Sequence, residues 1–543
     1  MAKMPRCGTL EAGDSGKGDS VGSDTTIGAG DRMSARARAW PWLVAALCLV
    51  PALTAPVLPL IDFYAHAFRY AILADAGRDP WFAENYRVAW NLLPNLGLDA
   101  IGTALFRLLP PLAAARVVAL IAIAAPFAGV LVLARCLRGQ AGTLSVALAG
   151  ILAHSFILGW GFANFLLGLG LALVALGLWI AGRSAPARQL ALAVPAGIVV
   201  FLTHGFVFAL WGVLLAAVEV ALALESGRRG LRTLPLRALR LLAVAAVPTA
   251  LFLASATSGG EGGVTGTVSN LAARLRDGSL GTRLLDEVWI RADAGLRVAE
   301  SGWPPGDRLF GAALWALLAA GLVTGRLRLD RRLGPAAWAA AALVVLVPPG
   351  LFGVGHLAER MPLLLLALLA AGLAPARQTA GAPVLVRAIS VLLPLHLLMV
   401  TLVWARSGDA YRDFLAAAER LPARSLAAPA FAAESQSRDD QKACKPLSFL
   451  LGLDRGLAVP TFANPAQQPL EIVGPLAAAM ADYDRRVAAT PGPSGAAQVA
   501  ALVASGFDAV ILCRPPGAAT ARVAGARAVG AGQGWTLYLA TRG

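Results

Sequence analysis

Residues 40–69 read WPWLVAALCLVPALTAPVLPLIDFYAHAFR, and the boundary inside this stretch predicts the fold. A run of about twenty mostly apolar residues, long enough to cross a bilayer, ends near Leu60. Asp62 follows, and His66 and Arg69 lie about one and two helical turns further on. Charge is costly beside hydrocarbon, so an acid at this boundary is expected to be functional or paired. The stretch predicts a membrane span that ends in a polar site.

The composition is that of a polytopic membrane protein. Of the 543 residues, 57% are hydrophobic and only 15% are charged, whereas soluble proteins carry about 25% charged residues. The formal net charge of +15 comes from arginines grouped between apolar runs, as expected of cytoplasmic loops. The basic character therefore reports membrane topology and argues against nucleic acid as a partner.

Apolar runs of about 16 to 24 residues recur along the chain and predict an α-helical fold with about eleven membrane helices. The first covers about 40–60, and the others cover about 112–134, 141–159, 164–182, 189–204, 206–224, 234–256, 308–325, 335–352, 361–375 and 384–404. Around Thr203, His204 and Gly205 two short runs also fit one long bent or re-entrant segment. The span boundaries there stay open.

The arginine clusters predict how these helices are oriented. Under a count of eleven they all fall on one side: Arg135 and Arg138; Arg183 and Arg188; Arg228, Arg229, Arg232 and Arg237; Arg326, Arg328, Arg331 and Arg332; and Arg377. This side is expected to be cytoplasmic and to carry a disordered tail at residues 1–38. The transmembrane domain at 39–404 then has outer loops at about 61–111 and 257–307, and residues 405–543 lie on the periplasmic side.

The C-terminal region changes character, because long apolar runs stop and turn residues return. Its clearest elements are a helix at about 496–505 and strands at about 507–513 and 535–540. This order predicts a small α/β domain outside the membrane. Of the five cysteines only Cys444 and Cys513 fall in it. An oxidising compartment would permit a disulfide between them, although two separate buried thiols fit equally well.

The first outer loop mixes aromatic residues with charges at 62–76 and 81–108, which predicts helices lying in the membrane interface. A metal site could be drawn from Asp62, His66 and Glu84, but no HExxH, DxD or comparable ligand spacing occurs. We therefore predict no metal site, and a divalent cation stays open as a cofactor.

Polar residues gather toward the predicted outer ends of the spans. Four of the five histidines, His66, His154, His204 and His356, fall there. One such histidine is usually structural, whereas four indicate a shared polar cavity. Arg360 could offer its guanidinium fork to a phosphate, or simply balance Glu359. We predict that the substrate-binding residues are His66, Arg69, Glu84, Asn164, His204, His356 and Arg360.

Three classes of function fit these residues. The sequence has no Walker P-loop, nucleophile elbow or Rossmann glycine fingerprint in a usable context, so ATP-driven transport lacks its motor. An enzyme would carry its chemistry at Asp62 and the polar residues that follow it. A transporter or flippase for lipid-linked glycans would line a pathway with polar residues, which usually lie at mid-membrane. A non-catalytic envelope scaffold would pair Asp62 with Arg69.

These features together resemble the GT-C class of integral-membrane glycosyltransferases. The resemblance covers about residues 40–404 and rests on the span pattern, on DFYAHAFR at 62–69, YRVAWNLLPN at 86–95 and GFANF at 161–165, which look like a bacterial branch of GT-C-like proteins. In that class an acid early in the first outer loop is the catalytic acid/base, and Asp62 matches it. No paired-acid motif follows Asp62, unlike in the mannosyltransferase members, so the resemblance fixes neither donor sugar nor metal.

The resemblance also implies substrates and a location. The donor would be a polyprenyl-phosphate-linked sugar, and the acceptor an envelope glycan, lipid or protein. The reaction would occur on the outer face of the bacterial inner membrane, with the lipid bilayer holding the donor's tail and the N-terminus in the cytoplasm.

Overall fold

The computed structural model describes residues 35–259, 280–350, 354–376, 379–435, 438–488 and 494–541. Nearly all of the predicted disordered tail, and part of the predicted outer loop at 257–307, lie outside these residues. The described chain is mostly helical. The helices are α1 (Ala35–Thr54), α2 (Phe63–Asp75), α3 (Pro80–Asn85), α4 (Gly97–Leu108), α5 (Pro111–Arg138), α6 (Thr143–Leu152), α7 (Phe156–Trp160), α8 (Ala163–Ala181), α9 (Pro186–Thr203), α10 (Gly205–Glu225), α11 (Gly227–Arg232), α12 (Leu234–Ala254), α13 (Ala256–Gly259), α14 (Leu280–Leu296), α15 (Pro304–Val323), α16 (Gly334–Leu346), α17 (Met361–Gly372), α18 (Ala382–Ala418), α19 (Arg438–Arg455), α20 (Gly474–Ala488) and α21 (Ala496–Ala504).

Seven helices in the described residues are long and apolar enough to cross a membrane: α5, α8, α9, α10, α12, α15 and α18. Each of the other four predicted spans also contains a helix, but α6, α16 and α17 have only 10, 13 and 12 residues. A helix of that length covers less than about 20 Å, short of the roughly 30 Å of hydrocarbon. The apolar part of α1 is likewise short, at residues 39–54. Hydropathy therefore located the apolar helices but overestimated their lengths.

The predicted span at 141–159 shows how such a run is broken. Helix α6 ends at Leu152 and α7 begins at Phe156. Ser155 caps α7, and its hydroxyl accepts a hydrogen bond from Leu158 N at 3.3 Å. An apolar sequence hides this break, since a capping serine interrupts the helix without lowering the hydropathy of the run.

The open boundary at residues 203–205 is resolved into two helices. Helix α9 ends at Thr203 and α10 begins at Gly205, with His204 extended between them at φ −162° and ψ 104°. Both helices are long and apolar enough to cross a membrane. The junction therefore places His204 at the end of two spans.

The first helix of the first loop does not lie in the membrane interface, contrary to the prediction from its aromatic residues. Helix α2 is buried, with Phe63 and Phe68 at most 1% exposed. It packs on α4 and on α19. A Cβ atom added at Gly452 of α19 would lie 2.5 Å from the Phe68 ring, so this glycine permits the close approach. The aromatic residues of α2 are core residues because a C-terminal helix covers them.

The C-terminal region forms the predicted α/β domain around a four-stranded sheet. Its strands lie in the order β4 (Ala427–Phe431), β6 (Ala509–Cys513), β8 (Trp535–Ala540) and β7 (Ala526–Gly532). Four shorter strands form two separate pairs, β1 (Tyr86–Val88) with β5 (Leu470–Ile472) and β2 (Leu327–Leu329) with β3 (Leu373–Pro375). Strands β4 and β6 are parallel and the other pairs of the sheet antiparallel. The predicted fold class, a polytopic helical protein with a small C-terminal α/β domain, is confirmed.

This domain is joined to the helical part at several points. Strand β5 pairs antiparallel with β1 of the first loop. Asn85 Oδ1 accepts a hydrogen bond from Leu476 N at 3.0 Å, and Tyr86 Oη donates to the carbonyl of Val459 at 2.7 Å. Helix α18 runs on past Trp404, the predicted end of the last span, to Ala418. The domain is thus fixed over the first loop.

Candidate functional site

A cavity of about 610 Å³ lies where the first loop, four membrane-type helices and the C-terminal domain meet. We call it the Asp62 cavity. Helices α8, α9, α10 and α12 contribute its apolar wall, which includes Phe165, Phe201, Phe208, Pro248 and Phe252. The polar residues facing it are Asp62, His66, Asn95, Asn164, His204, His356, Arg360, Lys445, Gln467 and Gln468. The cavity therefore combines a polar head region with an aromatic wall.

Asp62 is held at the start of α2 by the turn that precedes α8. Its backbone N–H donates to the carbonyl of Trp160 at 2.9 Å. Gly161 follows with φ +87°, and a Cβ atom there would lie 2.4 Å from the backbone nitrogen of Phe63. Only glycine fits this contact and this backbone conformation. The GFANF segment thus positions the carboxylate.

Lys445, which the sequence analysis missed, pairs with this carboxylate. Its Nζ lies 2.7 Å from Asp62 Oδ1, and the Asp62 side chain is only 8% exposed. The neighbouring residue, Cys444, forms a disulfide with Cys513 of β6. The signal that could have indicated Lys445 is its rarity, since only four of the 47 basic residues are lysines. The proposed pairing of Asp62 with Arg69 is not what the structure shows.

Arg360 is a buried cation in the same cavity. Its side chain donates to His204 Nε2 at 3.2 Å and to the carbonyl of Gly355 at 3.1 Å. The guanidinium lies over the Phe162 ring, 4.4 Å from its centroid. Burial lowers the pKa of Arg360 to about 9, which leaves it charged at neutral pH.

No carboxylate in the described part of the chain forms an ion pair with Arg360. The neighbouring Glu359 instead accepts hydrogen bonds from His356 Nδ1 and Trp160 Nε1, both at 2.9 Å. Glu359 therefore acts on Arg360 through its charge, which raises the pKa of the arginine, and forms no ion pair with it. A buried guanidinium without an ion-paired acid is chemically able to hold an anion.

The histidines of the cavity have different surroundings. His66 stacks on Phe462, with ring centroids 4.9 Å apart. Burial lowers its pKa well below the usual value, and the charges of Arg69, Lys445 and Arg360 act in the same direction. His66 is therefore a neutral ring. His356 is partly exposed and stacks on Trp160 at 4.1 Å.

Two of the predicted substrate-binding residues do not line the cavity. Arg69 is fully buried, and its Nε lies 2.7 Å from Asp99 Oδ1. The ion pair ties α2 to α4 and turns Arg69, predicted to bind substrate, toward α4. Glu84 is exposed on α3, because that helix lies against the C-terminal domain on the outside of the loop. Asn164 does line the cavity, and its Oδ1 accepts from Leu98 N at 3.0 Å, which supports the start of α4.

Metal ligands do not converge in the described residues, where no three His, Cys, Asp or Glu side chains lie close enough to hold one ion. The charged groups that do converge are one carboxylate and two cations. Their arrangement can accept a proton and hold an anion beside it.

Comparisons with known proteins find similar structures but no similar sequences. No family model and no curated protein matches the chain. ArnT from Cupriavidus metallidurans in the apo state is 15% identical over 93% of this chain and 98% of its own, with a TM-score of 0.48. The same protein bound to undecaprenyl phosphate is 14% identical over 92% and 98%, with a TM-score of 0.46. The apo oligosaccharyltransferase of Archaeoglobus fulgidus is 12% identical over 88% and 70%, with a TM-score of 0.43. At these values the likeness concerns the course of the chain, and the roles of residues depend on the site itself.

Proposed function

We propose that the protein transfers a sugar from a polyprenyl-phosphate-linked donor to an acceptor of the cell envelope, with Asp62 as the general base. One observation carries this proposal: a paired carboxylate and a buried guanidinium without an ion-pair partner in the described residues face one cavity whose remaining wall is aromatic. An amphipathic substrate with an anionic head matches both parts of such a cavity. The acceptor would be an envelope glycan, lipid or protein.

The chemistry follows from the charges in the cavity. Asp62 takes the proton of the acceptor hydroxyl as the hydroxyl oxygen attacks the anomeric carbon of the donor sugar. The bond between that carbon and the phosphate oxygen breaks, and its electron pair leaves with the polyprenyl phosphate. Negative charge therefore grows on the phosphate, where Arg360 can donate two parallel hydrogen bonds. Lys445 holds the carboxylate in place from the other side.

The apolar wall gives the lipid a route to the site. In the most apolar stretch of helix α12 only 11% of the residues are buried, so most of the helix surface is free to face lipid. Pro248 and Phe252 near its end line the Asp62 cavity. A polyprenyl chain lying along α12 would leave its phosphate head at Arg360 while the tail stays in hydrocarbon.

The distribution of arginines supports the outer face as the place of reaction. Helices α8, α9, α10 and α12 have the Asp62 cavity at one end and Arg183, Arg237 and Arg240 at or near the other. Positively charged loops favour the cytoplasmic side. The Asp62 cavity then opens to the periplasm, and the N-terminus of α1 begins in the cytoplasm.

The decisive test replaces the carboxylate and leaves its shape. Expressed in a bacterial host, the wild-type protein is expected to add a sugar to envelope components, detected by mass spectrometry of lipid, glycan and protein fractions. Asp62→Asn should lower the rate of transfer by about 10² to 10⁴, the usual contribution of a general base. Glu84→Gln is the matched control, because Glu84 is an exposed acid of the same loop. Unchanged transfer by Asp62→Asn, at equal protein levels, overturns the proposal.

A further inference from the structure

A second cavity of about 610 Å³ lies at the opposite end of the helices that form the Asp62 cavity. The ends of α5, α8 and α10 and the starts of α9 and α12 surround it. Its polar lining includes Arg183, Gln189, Glu219, Arg237, Arg240 and Arg332. We call it the arginine cavity. Neither the proposed transfer reaction nor the predicted site residues use it.

Two of its four arginines are already neutralised. Arg237 Nη1 lies 2.5 Å from Glu219 Oε2, and the other oxygen of this buried carboxylate accepts from Trp179 Nε1 at 2.7 Å. Arg332 pairs with Asp330 at 2.8 Å. The one acid that lines the cavity therefore has both oxygens occupied, and it fixes the position of Arg237.

The other two arginines have no partner in the described residues. Neither Arg183 nor Arg240 forms an ion pair or a hydrogen bond there. They come from different elements, the turn after α8 and the first turns of α12. Arg183 is exposed and Arg240 is partly buried. Two guanidinium groups without a protein partner in the described residues thus face one cavity whose single acid is already paired. An anion that bound between them would offset both charges.

We propose that the arginine cavity binds the phosphate group of an anionic ligand. A phosphate offers oxygens in the geometry that the guanidinium fork accepts, and Arg183 and Arg240 supply two such forks. Gln189 holds its amide toward the carbonyl of Trp179 at 2.8 Å, so it completes the wall without competing for the anion. The position at the arginine-rich end of the helices is where basic pockets between membrane helices recognise anionic head groups.

The phosphate could belong to a phospholipid or to a soluble molecule, and the surface beside the cavity favours the lipid. Leu236 lines the cavity, and Leu239 and Leu242 continue along α12. These three side chains are 52%, 61% and 65% exposed. Acyl chains lying on them would leave the phosphate at Arg240, the next residue after Leu239.

Native mass spectrometry of the full-length protein in detergent tests this proposal. Phosphatidylglycerol is the anionic probe, and phosphatidylcholine is the zwitterionic comparison. Arg183→Ala with Arg240→Ala should weaken phosphatidylglycerol binding about thirtyfold, given the usual contribution of two basic residues near an anionic lipid. Binding of phosphatidylcholine should not change. The matched control is Arg228→Ala with Arg229→Ala, two exposed arginines of α11 that do not line the cavity.

The outcomes separate the two sources of phosphate. If phosphatidylglycerol stays bound in the presence of millimolar inorganic phosphate, and its binding is lost only in the Arg183→Ala, Arg240→Ala variant, the ligand is the lipid. Displacement by inorganic phosphate, with thermal stabilisation of the wild type but not of the double variant, supports a soluble phosphate. The proposal is overturned if the double variant binds phosphatidylglycerol and inorganic phosphate with wild-type affinity. It is also overturned if the control variant, Arg228→Ala with Arg229→Ala, loses as much binding. The paired arginines are untouched, so the unfolding temperature of the double variant without ligand should match the wild type.

Discussion

Helices α8, α9, α10 and α12 carry a cavity at each end, and the two cavities are built from different parts of the chain. The Asp62 cavity joins Asp62 of the first loop to Lys445 of the C-terminal domain. The arginine cavity uses residues at the ends of the helices themselves. Opposite charges meet in the first, whereas positive charge dominates the second. The same helices therefore carry a carboxylate paired with a lysine at one end and an excess of arginines at the other.

After replacement of Asp62, the largest effect on the Asp62 cavity is expected at Arg360. Arg360→Met should lower sugar transfer by about 10² to 10³, the usual result of removing one donor that stabilises developing negative charge. No described carboxylate forms an ion pair with Arg360, so its removal strands no acid, and only the hydrogen bonds to His204 and to the Gly355 carbonyl are lost. The unfolding temperature should therefore fall slightly at most, because relief of the buried charge offsets that loss. Transfer assays and thermal unfolding of the same preparations measure both. A loss of stability without a loss of transfer would make Arg360 a structural residue.

The next effect concerns the ion pair that crosses from one domain to the other. Lys445→Met should lower transfer by about tenfold to a hundredfold, because Asp62 loses the ammonium that holds it. Cys444→Ser with Cys513→Ser should act in the same direction and more weakly, since it loosens the helix that carries Lys445. Arg455→Met, at the exposed end of the same helix, is the control. Initial rates at saturating donor measure the change. Equal rates in the wild type, Lys445→Met, the double cysteine variant and Arg455→Met would show that Lys445 has no part in the reaction.

The smallest expected effect is on the pH dependence of the free energy of unfolding, which reports the electrostatics of the Asp62 cavity. The folded protein depresses the pKa of His66 below its usual 6.5, so below about pH 6.5 the unfolded chain binds a proton that the folded chain does not. Stability from the neutral ring is present above pH 6.5 and is lost as the pH falls. Between pH 7.5 and 5.5 the wild type should lose about 1 kcal/mol more than His66→Phe, which keeps the stacking on Phe462. Urea unfolding at both pH values measures this difference, and parallel losses would contradict it.

The sequence predicted the parts of this molecule that depend on local pattern. Apolar runs located the helices, and alternating and helical patterns near the end located α21, β6 and β8. Asp62 was predicted to lie in a polar site because an acid next to a membrane span is costly whatever the tertiary fold. His204, His356 and Arg360 were grouped from their depth alone, and they do face one cavity. His154, grouped with them, does not line this cavity, because its ring is buried against the carbonyl of Cys48.

The contacts between distant segments could not be predicted in the same way. Arg69 was expected in the site because it follows Asp62 by seven residues, yet Asp99 on α4 takes its charge. The aromatic residues of α2 were assigned to the interface because nothing in the first loop shows that α19 covers them. Lys445 escaped for the same reason. Each of these depends on which surfaces pack together, and packing partners are set by shape that a single sequence does not display.

The pairing of β1 with β5 has a consequence for how the protein is made. Translation reaches the first loop early and the segment around Lys445 only in the last fifth of the chain. A nascent chain already inserted through α12 has Asp62 and the apolar wall, but it lacks both the lysine and the strand that seats the final domain over them. The segment that carries Lys445 and β5 must be synthesised, and must dock, before the Asp62 cavity is complete. Order of synthesis thus makes the pairing of Asp62 with Lys445 a late step in folding.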